Sequence, residues 1–262
     1  MAFNPTEYKV LSFDIYGTLI DWELGIYQGL QPLLSKLPKS DPRHPSQNSP
    51  EPNQAIVLDI LTSYTKLEAQ IQIEHPTLSY PKVLEAIYTR IASQLSLDVS
   101  EDEIKEFGSS IGEWPAFPDT VAAMQILSKY YKLVVLSNVD KTSFSRTLSG
   151  PLSGVGFDGI YTAEDIGSYK PDLRNFQYMV DNAEKSFSAK KEEVLKVAQS
   201  LYHDHIPAKK FGLKPSVWIK RGGDEAAMGG KLEDVKGEVD LVATFTTLGE
   251  FAEEVERAFE KS

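Results

Sequence analysis

Residues 10–20 read VLSFDIYGTLI, and their order decides the fold class. Val10, Leu11 and Phe13 form an apolar run that delivers one carboxylate, Asp14, to its end. A Gly17-Thr18 turn follows at once. Burying an unpaired carboxylate is costly, so packing alone does not account for an acid at this place. Asp14 makes chemical sense as a nucleophile or a metal ligand at the mouth of a sheet.

Other apolar runs end the same way, in polar or turn residues. They are YKVLSFD (8–14), KLVVLSN (132–138), VLKVAQS (194–200), PSVWIK (215–220) and LVATF (241–245), with a weaker GIYTA at 159–163. Their Val, Ile and Leu content and lack of clean alternation predict strands of a parallel sheet covered on both faces. Helical patterns lie between them. Pro118 opens one toward Tyr131, Pro171 opens another through Asp181, residues 206–211 make a short one stopped by Gly212, and residues 247–261 close the chain. Strand and helix in alternation predict a doubly wound, Rossmann-like α/β core.

The stretch 21–115 breaks this rhythm and reads as helices only. It is clearest at 64–73 and at 81–97, where Ile87, Ile91 and Leu95 fall at helical spacing. The expected organisation is an α/β core domain of residues 1–20 and 116–262, interrupted by an all-helical domain at 21–115. Within the insert, KSDPRHPSQNSPEP (39–52) is an expected exposed loop. An apolar face on the insert would suit a homodimer.

Composition narrows the function. The chain of 262 residues has a formal charge of −11, which speaks against a general nucleic-acid binder, since that needs a basic face. Acidity does not exclude an anionic substrate, because a few local cations or backbone N–H groups can hold one. No apolar run approaches the ~18 residues of a membrane span, and MAFNPTEYKV lacks the features of a secretory signal. With no cysteine, disulfides, thiolate metal sites and cysteine nucleophiles are excluded. A cytoplasmic protein without a membrane partner is the expectation.

In open α/β sheets the site lies outside the carboxyl ends of the strands. Those ends present Asp14, Tyr16 and Thr18, then Ser137 and Asn138, then Lys170 in GSYKP, then Gln199 and Asp204. A carboxylate is a competent nucleophile once oriented, which suits Asp14 to attack and ester formation. Lys170 beside it would keep it ionised and offset repulsion from an anionic substrate. Ser137 and Asn138 are suited to hold a substrate carboxylate or phosphate, or a leaving anion. Asp204 is suited to activate the water that opens the ester, and Thr18 to orient Asp14 through its hydroxyl.

DIYGT (14–18), the Ser137-Asn138 pair and Tyr169-Lys170-Pro171 resemble the first three motifs of the haloacid dehalogenase-like hydrolases. The insert after the first strand resembles the cap domain of that family, and the resemblance extends over essentially the whole chain. It implies a capped hydrolase of small anionic organic substrates with an Asp14 ester intermediate. Phosphatase members usually carry a second Asp two residues after the nucleophile. Here that residue is Tyr16, as in the L-2-haloacid dehalogenase branch, which WPAFPDT (114–120) and SVWIKRGG (216–223) also resemble. That branch implies attack on carbon and no cofactor, and Tyr16, Ser137, Asn138 and Gln199 are the expected substrate-binding residues.

AQSLYHD (198–204) departs from the family pattern. Gln199 replaces the usual Mg²⁺-ligand Asp, and an amide oxygen brings no charge to a hard cation. The dehalogenase branch commonly has Ser and Asn where this chain has Gln199 and Leu201, so only Asp204 transfers cleanly. Two alternatives therefore stay open. One is a Mg²⁺-dependent phosphatase that uses Asp14, and the other is a non-catalytic binding protein on the same scaffold. Dehalogenases also use a cap Arg near the halide, and Arg43 is the Arg of the early insert.

Other residues have plainer readings. His203 and His205 suggest hydrogen bonding before metal binding. Arg221 suggests a structural salt bridge, and Trp22 and Tyr27 suggest packing beside the cleft. RGGDEAAMGG (221–230) lacks the GxxxxGK[ST] pattern of a phosphate loop and reads as a flexible loop.

Overall fold

Val10, Leu11, Ser12 and Phe13 form β1 (Val10–Phe13), a wholly buried strand in the middle of a six-stranded sheet. The computed structural model describes residues 3–47, 53–75, 78–221 and 230–261. The other strands are β2 (Lys132–Ser137), β3 (Gly159–Thr162), β4 (Val194–Ala198), β5 (Ser216–Ile219) and β6 (Leu241–Phe245). Their order is β3-β2-β1-β4-β5-β6, and every pairing is parallel. All six expected runs are thus strands, and the Rossmann-like α/β class holds. The run at 241–245 coincides with its strand, and the other five extend past the carboxyl ends of theirs by one or two residues, because the ladder stops where the chain turns away.

Between β1 and β2 come α1 (Trp22–Leu34), α2 (Gln54–Glu74), α3 (Tyr80–Gln94), α4 (Glu101–Ser109) and α5 (Thr120–Leu127). The first four occupy the stretch read as helical. Residues 64–73 prove to be the second half of α2, whose N-cap Asn53 accepts from Ala55 N. Residues 48–52 of the Pro-rich loop and 222–229 of the Gly-rich one lie outside the described residues. The helical stretch leaves and rejoins the core through paired backbone. Asp21 N donates to Pro115 O at 2.8 Å, and Phe117 N donates to Leu19 O at 3.1 Å.

The remaining helices are α6 (Lys141–Ser149), α7 (Ala163–Ile166), α8 (Leu173–Phe187), α9 (Ile206–Phe211) and α10 (Leu248–Phe259). Val10, Val134, Leu136 and Val194 meet Phe176, Met179 and Ala183 of α8 on one face of the sheet. Leu11, Phe13, Leu133 and Val135 meet α5 and α10 on the other. Alternate strand residues point to opposite faces, so a strand buried on both sides has to be apolar throughout.

Two helix starts differ from expectation. Pro118 lies outside α5, because the chain turns at Phe117, whose carbonyl accepts from Thr120 N at 3.0 Å. Pro171 likewise precedes α8. Asp172 is the N-cap and accepts from Arg174 N, and the Lys170–Pro171 peptide is cis. Gly212 ends α9 with a positive φ of 80°, as a C-terminal stop requires.

Candidate active site

The chain winds from β1 to β2 and β3 on one side, then crosses back to β4, β5 and β6 on the other. The direction of winding reverses between β1 and β4, which stay paired, and in such sheets the site lies beyond the carboxyl ends of those strands. Asp14 follows β1 directly. The backbone then folds sharply, with Ile15 O accepting from Leu19 N and Ile20 N, and Gly17 N donating to Ile20 O at 2.8 Å. Gly17 has φ +91°, and a Cβ there would lie 3.2 Å from Gln199 Oε1. The positive φ favours glycine, and a side chain there would also press on the end of the Gln199 side chain.

Lys170 joins the carboxylates. Its Nζ lies 2.8 Å from Asp14 Oδ1 and 2.8 Å from Asp204 Oδ1. All three side chains are buried, Asp204 completely. Burial alone would lower the Lys170 ammonium pKa, but Asp14 and Asp204 outweigh it and raise it. Burial would likewise raise the Asp204 carboxyl, yet Lys170 and Lys196 together hold it well below the usual carboxylate range.

Lys196 is the residue that sequence reasoning passed over. It sits inside β4, fully buried, with Nζ 2.8 Å from the same Asp204 Oδ1. A lysine in the third place of VLKVA, a strand otherwise apolar, was the signal available.

Asp204 itself rides on a π-helical turn, Leu201–His205, a rare form that recurs at functional sites. His205 next to it is buried and neutral. Burial pushes its pKa down to about 4. Its Nε2 donates to Ala198 O at 2.9 Å, and its Nδ1 lies 2.7 Å from Ser216 Oγ. His203 stacks its own hydrogen bonds on Ser200. Among the described residues no group of three or more His, Asp or Glu side chains is arranged to hold a metal ion.

Three polar residues are placed at the site with partners other than those expected. Asn138 was read as an anion cradle, yet its Oδ1 accepts from Lys170 N at 2.6 Å and its Nδ2 donates to Lys170 O at 3.0 Å. Thr18 was read as orienting Asp14. Its hydroxyl instead accepts from Gln199 N at 2.9 Å and ties the β1 turn to the β4 turn. Tyr16 hydrogen-bonds Thr147 Oγ1 at 2.9 Å and sets its ring edge-on to Trp114. Burial raises its phenol far above the ordinary range, so it stays protonated.

Ser137 ends β2 and is buried. Gln199 offers its carbonyl to Trp218 Nε1 at 2.8 Å. It also lines a cavity of about 100 Å³ with Gly17, Asp21, Trp22, Glu23, Phe117 and Arg221. Trp22 packs against Tyr64 and, like Tyr27, is buried.

Arg221 braces the turn after Asp14. Its Nε donates to Thr18 O at 2.9 Å and its Nη1 to Asp119 Oδ1 at 2.7 Å, while the guanidinium lies 4.0 Å from the Phe117 ring centre. Arg43 is held by both oxygens of Asp41 in a separate hollow lined by Pro42, Ala55, Ile56 and Asp59. That hollow shares no residue with the cavity beside Gln199.

A carboxylate at the end of the central strand and a lysine bridging it to a second carboxylate, where the winding of a parallel sheet reverses, suit a hydrolase of a known type. The haloacid dehalogenase-like hydrolase family model matches residues 8–212, and the chain belongs to that family. The (S)-2-haloacid dehalogenase H-109 of Pseudomonas putida is 23% identical over 220 residues, covering 80% of this chain and 85% of that protein. Among solved structures, the L-2-haloacid dehalogenase PA0810 has a TM-score of 0.71 at 20% identity, covering 95% of this chain and 99% of that one. The L-2-haloacid dehalogenase from Xanthobacter autotrophicus gives 0.66 at 16% identity, with 95% and 98% covered. The putative HAD-hydrolase YfnB from Bacillus subtilis, solved bound to magnesium, gives 0.65 at 17%, with 95% and 99% covered. At these identities the structural likeness speaks for the fold.

Proposed function

We propose that this hydrolase acts on a small 2-halocarboxylic acid, or a close relative with another leaving group, through an ester on Asp14. The observation that carries the reading is the Asp14–Lys170–Asp204 bridge, combined with a protonated Tyr16 in the place where a second acid would otherwise stand. Residues 1–20 and 116–262 act as the core and residues 21–115 as the cap that covers the cleft.

In the first step an Asp14 carboxylate oxygen attacks the substrate α-carbon. The carbon–halogen bond breaks and the halide leaves with its electron pair. Lys170, 2.8 Å from Asp14, lessens repulsion between two anions. Ser137, buried at the end of β2, is the residue this reading assigns to the substrate carboxylate. In the second step water attacks the Asp14 carbonyl carbon and passes a proton toward Asp204. The bond between that carbon and the alkyl oxygen breaks, the alkoxide takes a proton, and Asp14 regains a carboxylate oxygen from water.

The residues present do not suit a Mg²⁺ ion. Hard cations lean on several carboxylate oxygens. Here the two carboxylates are already ion-paired with lysines, and Gln199 stands where a third would be. No step is routed through a metal. The reading also takes the substrate to be the partner that matters, with no nucleic acid and no membrane. No helix among the described residues is long and apolar enough to cross a membrane.

The test is a parallel screen of 2-haloacids and phosphate esters, with and without chelator, on the wild type and Asp14→Asn. Halide release that survives chelator and vanishes in Asp14→Asn is the expected outcome. Chelator-sensitive turnover of phosphate esters alone would replace this reading with the phosphatase, and no turnover of either class would favour a binding protein. Single-turnover reaction in ¹⁸O-water places label in Asp14 if the ester forms.

A further inference from the structure

Lys196 has no place in the chemistry described so far, yet it is among the largest wholly buried side chains in the molecule. Its Cα is in register with Ser12 of β1. Alternation puts Ser12, Asp14 and Lys196 on the same face of the sheet. Lys196 therefore starts two residues below the level of Asp14, about 6–7 Å down the strand. From there its stem runs up to the strand ends and its ammonium reaches Asp204 Oδ1.

Two ammonium groups thus lie against one oxygen of Asp204, each at 2.8 Å: Lys170 donates a hydrogen bond to it, and Lys196 meets it as an ion pair outside hydrogen-bond alignment. The other oxygen, Oδ2, is buried and has no hydrogen-bond partner among the described residues. A carboxylate held by a single cation can turn about its Cβ–Cγ bond and offer that cation either oxygen. A carboxylate pinned at Oδ1 from two directions cannot do so without losing one of them. Charge points the same way. Burial lowers the Lys196 ammonium pKa and Asp204 opposes that, so the pair holds together through the same short contact.

We propose that Lys196 is a positioning residue for the second half of the reaction: it fixes Asp204 through Oδ1 so that Oδ2 is the acceptor for the hydrolytic water. This rests on the reading of Asp14 as an ester-forming nucleophile. Lys196 touches neither the ester nor the water. It acts through Asp204, so its loss slows ester opening while leaving attack by Asp14 and halide release in place. A second effect of its loss opposes the first, since Asp204 with one cation is a stronger base. The geometric effect dominates here, because a free carboxylate also gives Oδ2 to Lys170.

The absence of cysteine allows a sharp test. Lys196→Met removes the ammonium with little change of shape. Lys196→Cys introduces a single thiol, which aminoethylation in denaturant and refolding convert into a lysine analogue. Halide release and product formation are followed in one rapid-mixing experiment with a 2-haloacid, and the Asp14 ester is detected by intact mass. The expected result for Lys196→Met is a halide burst of about one per site, accumulated ester, and a product-forming rate down about tenfold to a hundredfold. The aminoethylated protein loses the burst and recovers the rate, whereas unmodified Lys196→Cys behaves as Lys196→Met does.

Product formation by Lys196→Met at or above the wild-type rate overturns the assignment, as does failure of aminoethylation to restore ester opening in refolded protein. If Lys196→Met does not fold, the burst-to-rate ratio of Lys196→Cys before and after aminoethylation decides. A variant that slows both phases equally has a structural defect, and this too overturns the proposal. A wild type that releases no halide removes the haloacid reading itself, and the assignment with it. That outcome differs from a wild type that turns over beside a variant that does so equally well.

Discussion

Asn138 brackets the backbone of Lys170, accepting from its N–H at 2.6 Å and donating to its carbonyl at 3.0 Å. The bracket fixes where the lysine stem begins, and so where its ammonium meets Asp14 and Asp204. Replacing Asn138 by Ala removes both contacts. Each hydrogen bond contributes about 1 kcal/mol, and a buried group left unsatisfied costs somewhat more, so the loss of stability should be about 2–3 kcal/mol. Turnover should fall by at least about tenfold, because a misplaced lysine leaves two buried carboxylates facing each other. Urea unfolding and steady-state rates check this. Wild-type turnover in Asn138→Ala would show that Lys170 is held by other means.

His205 sets a pH dependence of stability. Its folded pKa is depressed to about 4, because burial disfavours the charged ring. The unfolded chain, near pKa 6.5, binds a proton that the folded protein refuses. Stability therefore rises with pH between about 4 and 6.5 and is lost as pH falls through that window. The size is about 3 kcal/mol, from about 1.4 kcal/mol per unit. Unfolding free energies of the wild type and His205→Gln, measured from pH 7 to pH 4, should differ in slope, with the variant flatter. Parallel slopes would assign the acid sensitivity to other groups.

Tyr16→Phe asks whether the phenol does chemistry. Its hydroxyl is bonded to Thr147 and held protonated by burial. The variant should lose about 1 kcal/mol of stability and keep halide release within about threefold, since less than 1 kcal/mol of barrier is at stake. A drop of about a hundredfold in kcat, in a protein with a normal melting temperature, would make the hydroxyl a participant.

Gly17→Ala strains the turn after the nucleophile. An L-residue at φ +91° costs about 1–2 kcal/mol, and the new methyl crowds the Gln199 amide at 3.2 Å. Because the turn sets the direction of Asp14, kcat should fall by more than stability alone accounts for. Thermal melting beside single-turnover halide release separates the two.

The strands were legible because a parallel strand buried on both faces has to be a continuous apolar run, as 10–13 and 194–198 show. Asp14, Lys170 and Asp204 were legible for a related reason. The carboxyl ends of such strands converge, so polar residues just past them meet. The partners of Asn138 and Thr18 were not legible, because each bonds a backbone group that arrives from a distant loop. Lys196 was hidden for the opposite reason. It lies within a strand, where side chains are read as packing, and its long stem lifts the charge to the site. The start of α5 was displaced because Asp119 is engaged by Arg221 and Gly249 N, contacts made across the fold.

The helical stretch is attached to the core by a two-ply strap in which Leu19 and Asp21 run beside Pro115 and Phe117. The strap begins immediately after Thr18, whose carbonyl is gripped by Arg221. A rotation of the helices therefore pulls on the very turn that aims Asp14. The strap and the turn are one continuous piece of backbone, so a substitution in the strap is expected to disturb the placement of Asp14 together with that of the helices.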